Sequence, residues 1–331
     1  MAMAFTWSFL YVIQHIQWDE QCPTETQADQ QFVFDNHRPL HIDCRDHTSL
    51  SNIRIVPATN QTTVHVRVEA SSWWRNRINI DHNQGSSGNS LKVKVRQTPW
   101  GWLRGCVRAT VVVALPETLA LQVDSDSGTV LVRNVDMKAL RVATAHGRIS
   151  IIDVHTQDSL DLNGHNTMIE LTRVSAPRIS ATTVNAGIRA TNVTGSEVTL
   201  HTANAGLVLR RVHTDVLRAQ SSNGAIHGDA RVQREVDLVT SNGALQMDIQ
   251  GSTTTEFIAA HSSNGPVGLG LLSVAGIFSV QASGSTADII ADKEKLRLDK
   301  DSTSAKTGAF AQGSTRISVS TSNSQAILRL S

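Results

Sequence analysis

Two pairs of opposite charges recur at nearly one spacing in this sequence, and they are the residues most able to support acid–base chemistry. Arg141 precedes Asp161 by 20 residues, and Arg218 precedes Asp237 by 19. Hydrolysis of a polysaccharide would need carboxylates and a basic group gathered around the substrate. An isolated pair of opposite charges on a solvated strand face forms only a weak ion pair. We therefore interpret both pairs as surface ion pairs and predict no catalytic residue.

Metal and cofactor chemistry has equally little support in the sequence. The acidic pair Asp124 and Asp126 lacks the partners of a calcium loop, so we predict that both are turn residues. The chain has no nucleophile elbow, P-loop or dinucleotide fingerprint. Four histidines lie near predicted turns without paired spacing on one strand, which is typical of surface residues rather than zinc ligands; they are His146, His165, His201 and His261. We expect no metal and no cofactor.

Tryptophan and arginine cluster in two short segments of the first third of the chain, and this cluster is a candidate binding patch. Exposed Trp and Arg side chains stack on sugars, form hot spots in protein interfaces or lie at a lipid interface. The alternative is that the tryptophans seal one end of the fold. The patch comprises Trp73, Trp74, Arg75, Arg77, Trp100, Trp102 and Arg104.

From residue 121 the chain repeats itself every 19 or 20 residues. Apolar residues recur at offsets 0, +2, +9, +11 and +14, and small polar residues, usually with a glycine, fall between offsets +2 and +9. Five consecutive copies keep this register; they begin at Leu121, Leu140, Leu160, Ile179 and Val198. Later copies are weaker, and one of them assigns Ile258, Val267, Leu269 and Leu272 to the core.

The repeat predicts an all-β fold. Alternation at offsets 0/+2 and +9/+11 is typical of strands that bury one face, and Asn-Gly between them tolerates positive φ. Stacked copies would bury a common core, which predicts a single-chain, β-helix-like β-solenoid with two-strand rungs of about 19–20 residues. A meander or sandwich of hairpins is the alternative, but the near-constant register favours the solenoid. We also predict a turn-to-turn ladder of Asn185, Asn204, Asn223, Asn242 and Asn264.

Three regions organise the chain. Residues 1–31 combine an apolar segment with a polar linker, and residues 32–118 form an irregular antiparallel β cap. Residues 119–331 form the solenoid, with a polar excursion at 292–312. The cap would cover an end that otherwise associates edge to edge. Met1–Ile16 lacks the basic start of a signal peptide and is shorter than a membrane span, so an anchor, a signal sequence and core packing all stay open.

The passage Val111–Val132, VVVALPETLALQVDSDSGTVLV, is followed by recurrent [S/T]-x-N-G turns. These turns begin at Ser221, Thr240 and Ser262, and a last one at Thr321 lacks its glycine. Together with the polar excursion, this order resembles the "putative adhesin" domain family of unknown function, especially its fungal members. The resemblance covers roughly Val107–Ser331 and implies a β-solenoid. It implies no site residues, because the family has no established reaction.

Net charge and cysteine content limit the classes of partner and site that this chain can have. A formal net charge of +1 gives no basic excess, so no nucleic-acid partner is expected. Three cysteines support neither a zinc site nor a full disulfide framework, and a Cys22–Cys44 bridge stays open for a secreted chain. We predict a non-enzymatic, adhesin-like binding or structural protein, membrane-anchored or extracellular rather than cytoplasmic, with a surface protein or a glycan as partner. A β-helix polysaccharide-acting enzyme and an intracellular scaffold are the alternatives.

Overall fold

A computed structural model describes residues 25–45, 50–58, 61–70, 78–85, 88–95, 107–116 and 119–331. Every regular element within these ranges is a strand, which confirms the all-β prediction. In the described part of the chain, no helix occurs that has the length and hydropathy of a membrane span. Met1–Ile16, Cys22 and the whole Trp/Arg patch lie outside the described residues.

The strands join into one sheet. They are β1 (Glu25–Phe34), β2 (Leu40–Cys44), β3 (Leu50–Pro57), β4 (Thr62–Ala70), β5 (Ile78–Gly85), β6 (Gly88–Val95), β7 (Val107–Leu115), β8 (Ala120–Ser175), β9 (Arg178–Thr183), β10 (Ile188–Thr202), β11 (Leu207–Ser221), β12 (Ile226–Thr240), β13 (Leu245–Gln250), β14 (Phe257–Ser262), β15 (Val267–Leu272), β16 (Gly276–Ala282), β17 (Ala287–Ile290), β18 (Leu296–Asp301), β19 (Ala305–Phe310), β20 (Thr315–Thr321) and β21 (Ala326–Leu330).

Parallel pairing at the period of the repeat dominates this sheet. Ile188 of β10 pairs with Leu207 of β11, Leu207 pairs with Ile226 of β12, and Ile226 pairs with Leu245 of β13. Each partner lies 19 residues further along the chain. Side chains at equal offsets therefore stack about 4.8 Å apart, the spacing of hydrogen-bonded strands. All five apolar offsets of the first five copies are buried, at most 3% exposed.

A left-handed residue at offset +13 explains why offset +14 points inward in these copies. Five residues there have φ near +54°: Asn134, Asp153, Arg173, Asn192 and Arg211. One residue in this conformation shifts the strand alternation, so the residue that follows it faces the core. The copy beginning at Ile258 lacks it at that offset, and there the alternation continues from Leu269 to a buried Leu271. The prediction that Leu272 is a core residue is wrong: it is 50% exposed.

The [S/T]-x-N-G turns bind each copy to the preceding one. In the turn that begins at Thr240, the buried hydroxyl accepts a hydrogen bond from the Gly243 N–H at 3.1 Å. The same hydroxyl donates to the Gly224 carbonyl of the preceding copy at 3.1 Å. A Cβ at Gly243 would overlap that carbonyl, which is why the position needs glycine. Ser221 and Ser262 repeat this arrangement.

The asparagines of these turns form the predicted ladder. Asn204 donates its side-chain amide to the Oδ1 of Asn185 at 2.6 Å, and Asn223 donates to Asn204 at 2.8 Å. Asn242 and Asn264 continue the series at 2.7 Å each. The structure extends it at both ends, to Asn166 and Asn323. The ladder prediction is confirmed, and the role of these residues is structural.

The region before residue 119 contributes strands in both directions. β4 is antiparallel to β1 and β7, but β2 and β3 run parallel to β8 rather than antiparallel. Leu40 of β2 lies beside Leu121, and Ile53 of β3 lies beside Val130. Residues 40–57 therefore supply one more copy, in which Ile42 and Ile53 are 11 residues apart where Val123 and Val130 are 7 apart. This wider spacing hid the copy from a search at fixed offsets. β1 begins at Glu25, inside the predicted polar linker, and its polar residues suit an exposed edge strand.

At the other end, spatial order departs from chain order. β20 lies between β14 and β16, and β21 lies between β15 and β17. The final copy is thus inserted between two earlier ones, where the repeat alone would place it beyond them. The predicted excursion at 292–312 contains the hairpin of β18 and β19, and β19 is antiparallel to β16. Its outer strand carries exposed charged residues, which discourage pairing with another chain.

Candidate functional site

A polar cleft of about 570 Å³ lies on the outer face of the sheet near its N-terminal end. β6, β2 and the start of β8 lie side by side there, because β2 pairs in parallel with both neighbours. The volume falls within the range typical of small-molecule sites. Because paired strands of one sheet form its floor, the positions of its side chains are fixed by backbone pairing.

Four side chains form a row across the floor of this cleft, which we call the polar row: Asn83, Ser90, His41 and Gln122. Register places them on consecutive strands, since Asn83 lies beside Ser90, Ser90 beside His41, and His41 beside Gln122. Ser90, His41 and Gln122 project outward between buried neighbours, and Asn83 lies on the exposed strand β5. Three strand spacings of about 4.8 Å give the row a length of about 14 Å.

Asp124 holds two members of the polar row in place. Its Oδ2 is 2.7 Å from Nε2 of His41 and accepts a hydrogen bond from the Gln122 amide at 3.0 Å. Asp124 is only 7% exposed. The prediction that Asp124 is merely a turn residue is wrong, because its partner His41 lies 83 residues earlier in the chain and only the fold brings them together.

A second carboxylate, Asp43, anchors the strand beneath the polar row. Arg45 donates to both of its oxygens at 3.0 and 3.2 Å, and Lys92 Nζ lies 3.0 Å from Oδ2. Burial of Asp43 favours its neutral form, but the hydrogen bonds from Arg45 and Lys92 outweigh burial and hold the pKa of the carboxyl well below its usual value. The next residue, Cys44, is a free, buried thiol, whereas Cys22, its suggested partner, lies outside the described residues. Burial raises the pKa of the Cys44 thiol to about 12.

Small residues and a buried amide shape the wall of the cleft. Ala120, Ala139 and Ser159 line one side, where their short side chains leave room beside the floor. Asn89, which is 2% exposed, lines the other side. Its Nδ2 donates to the Asp35 carbonyl at 2.9 Å, whereas its Oδ1 has no hydrogen-bond partner. A buried polar atom without a partner is unusual and marks this wall as polar.

Of the two charge pairs predicted from the sequence, one lies in the cleft. Arg141 and Asp161 both line it and face each other, with Nε to Oδ2 at 3.8 Å. This surface ion-pair prediction is confirmed.

The second predicted pair forms differently. Arg218 lies beside Asp237 in register, but its guanidinium pairs with Glu197 at 2.6 Å and with Glu235 at 3.2 Å. Burial, and then the negative charge of Glu235, raise the pKa of Asp237. Three carboxylates and one guanidinium therefore share one outer face, outside the lining of the cleft.

The four histidines near turns do not come together. In the described part of the chain, no cluster of three His, Cys, Asp or Glu side chains has the arrangement of a metal site. His261 instead lies beside Ser320, with Nδ1 to Oγ at 2.9 Å.

Sequence comparison assigns the chain to a family. No curated protein matches it. A family model described as Toastrack DUF4097 matches residues 41–325, most of the chain. The chain belongs to the Toastrack DUF4097 family. The matched span begins at His41, so the whole polar row lies within the Toastrack domain.

Solved structures overlap with this Toastrack chain only loosely. A putative cell adhesion protein from Clostridium sporogenes is 6% identical, with a TM-score of 0.27 over 93% of this chain and 100% of that one. A putative adhesin from Parabacteroides merdae is 9% identical, with a TM-score of 0.27 over 75% and 92%. A putative adhesin from Parabacteroides distasonis is also 9% identical, with a TM-score of 0.27 over 93% and 98%. Overlap at this level carries no argument about function.

Proposed function

We propose that this Toastrack protein is a non-enzymatic, adhesin-like β-solenoid that binds its ligand in the polar cleft. The observation that carries the proposal is the polar row, whose side chains are held on one rigid sheet above a volume suited to a ligand. Sites on strands are positioned more accurately than sites on loops. The cleft is therefore organised for recognition before any ligand arrives.

The solenoid part of the proposal is supported by parallel pairing at an offset of 19 residues and by the turn ladder. Rungs of 19–20 residues follow if these pairings are successive coils of one chain. We further propose that residues 32–118 cap this stack, although β2 and β3 extend it. Support comes from β1 and β5, which end the sheet on that side with polar, exposed residues.

The Trp/Arg patch remains part of the proposal as a second contact region. Residues 71–77 follow Ala70 and precede Ile78, and residues 96–106 follow Val95 and precede Val107. Ala70 is paired with Val107, and Ile78 is paired with Val95. The described residues that flank the two segments are therefore paired with each other, which supports the proposal that both segments contribute to one contact region.

Surface display is the proposed location, either membrane-anchored or extracellular. Asn192, in the sequon Asn192-Val193-Thr194, occupies a left-handed corner and is partly exposed, so a glycan has access to it. Localisation of a tagged full-length chain, with removal of N-glycans as a mobility test, checks this. Purely cytosolic protein without glycans would support the intracellular scaffold instead.

Binding to intact cells tests the function directly. Purified full-length protein is immobilised, and retention of cells from the source organism and from unrelated species is measured. A His41→Ala/Gln122→Ala variant removes two members of the polar row. A Ser180→Ala/Thr199→Ala variant is the matched control, because Ser180 and Thr199 are adjacent outward residues outside the cleft. Loss of retention in the cleft variant alone supports the proposal, and equal retention by both variants contradicts it.

One observation favours the alternative of a polysaccharide-acting enzyme: the cluster of Glu197, Arg218, Glu235 and Asp237 on one face. Incubation with a panel of polysaccharides, followed by a reducing-end assay, tests it. Product formation that disappears in Asp237→Asn and persists in Asp161→Asn would establish the enzyme in place of the binding protein.

A further inference from the structure

The charged side chains that line the cleft have partners. Nε2 of His41 lies 2.7 Å from Oδ2 of Asp124, and Arg141 pairs with Asp161. Lys92 and Arg45, just beyond, share the single carboxylate of Asp43. A polyanion such as a nucleic acid or a sulfated chain would find no unpaired positive side chain among these residues. Long-range attraction therefore contributes little to binding at this site.

What the cleft does offer is a dense mixture of donors and acceptors. Asn83 and Gln122 each carry an amide with both functions, and Ser90 carries a hydroxyl with both. Groups that both donate and accept match hydroxyl groups, which do the same. A ligand with many hydroxyls would satisfy this lining better than one with charged or purely apolar groups.

The apolar part of the cleft is formed by small or buried side chains. Pro39, Ala120 and Ala139 line it together with the buried Leu40, Leu121 and Leu140, and no large exposed aliphatic side chain is among the lining residues. Such a strip suits the flat C–H face of a sugar ring but does not accommodate an acyl chain, which needs continuous apolar walls. The length of the polar row, about 14 Å from three strand spacings, exceeds one ring. The site therefore fits several linked sugar units.

We propose that the ligand of the cleft is a neutral oligosaccharide, bound with its hydroxyl groups along the polar row and one ring face on the strip of Pro39, Ala120 and Ala139. This inference rests on the proposed function, because it names the ligand class for the same site. It separates the neutral glycan from anionic glycans, peptides and lipids.

Isothermal titration of the full-length protein against defined oligosaccharides tests the ligand class. The panel contains neutral tri- and tetrasaccharides of glucose, mannose, galactose and N-acetylglucosamine, together with sulfated and uronate-containing chains of equal length. Binding of at least one neutral oligosaccharide is expected, with an affinity that stays within about twofold as salt rises, since no ion pair forms. Asn83→Ala and Gln122→Ala should each weaken it about threefold to tenfold, the effect of one lost hydrogen bond. Ser180→Ala/Thr199→Ala should leave it unchanged.

Two results would overturn the inference and leave the proposed function intact. One is cleft-dependent retention of cells while no neutral oligosaccharide binds. The other is cleft-dependent binding of anionic chains or of peptides that weakens steeply with salt. Failure of the proposed function looks different, because retention of cells would then be equal in the cleft variant and the control. Asn83 lies on an exposed strand, so its replacement tests the site without disturbing the core.

Discussion

Two buried threonines should respond differently to the same substitution. Thr240→Val removes a hydroxyl that accepts from the Gly243 N–H and donates to the Gly224 carbonyl, each at 3.1 Å. Valine has the same shape, so packing is preserved while two backbone groups lose their partner. Each unsatisfied buried group costs about 1–3 kcal/mol, and Gly224 is only partly buried, which gives an expected loss of about 2–4 kcal/mol.

Thr156 is the matched control. It is as deeply buried as Thr240, but its hydroxyl has no hydrogen-bond partner. Thr156→Val removes only a desolvated polar atom, and should therefore stabilise the protein by about 1–2 kcal/mol or leave it unchanged. The pair separates the hydrogen bonds of the turn from the general effect of exchanging a buried hydroxyl for a methyl group.

Equilibrium unfolding in urea, followed by far-UV circular dichroism, measures both variants. Hydrogen exchange of the Gly243 amide adds a local readout, because that amide should exchange faster in Thr240→Val and at the wild-type rate in Thr156→Val. A Thr240→Val variant as stable as the wild type would contradict the stabilising role of these two hydrogen bonds. Equal destabilisation of Thr156→Val would contradict it too, since burial alone would then account for both effects.

Three further outcomes follow from the geometry. Arg211→Gly should stabilise the protein by about 0.5–1 kcal/mol, because it removes the strain of a left-handed non-glycine residue, which costs about 1–2 kcal/mol. Arg210→Gly, at the neighbouring position, should destabilise the protein. Thermal unfolding compares the two variants. Cys44 should resist iodoacetamide at pH 8 in the native state and react only after unfolding, because burial raises its pKa to about 12. Site-resolved mass spectrometry measures the labelling, and labelling of Cys44 in the native protein would contradict the prediction. The lowered pKa of Asp43 adds stability that is fully present above its unfolded pKa and is lost as pH falls toward the folded pKa. Asp43→Asn should therefore be less stable than the wild type at pH 7, and this difference should begin to shrink as pH falls below about 4. A constant difference in urea midpoint across the acid range would argue against it.

Periodicity predicted the fold well because inward positions and turns each follow local rules. The alternation that starts at Leu121 and the asparagine ladder through Asn223 need only strand geometry and equal spacing. Leu272 was misplaced because the left-handed residue at offset +13 has no fixed type. Asn, Asp and Arg all occupy it, so its absence from a later copy leaves no mark in the sequence.

The candidate site could not be found in the same way. The polar row draws Asn83, Ser90, His41 and Gln122 from three strands before the regular repeat and one within it. These four side chains are brought together because β2 pairs with both β6 and β8, and no local sequence pattern predicts that pairing. Only Arg141 and Asp161 were accessible to sequence reasoning, because they share an offset in neighbouring copies.

The insertion of β20 and β21 between earlier strands has a consequence for how the protein is made. Synthesis from the N-terminus delivers β14 and β15, then β16 and β17, before the copy that belongs between them exists. The stack cannot close progressively as the chain emerges. A nascent chain that stops short of residue 315 presents two facing rows of unpaired backbone groups, a template for any passing strand. Completion of this one copy therefore covers these strand edges and prevents them from pairing with other chains during synthesis.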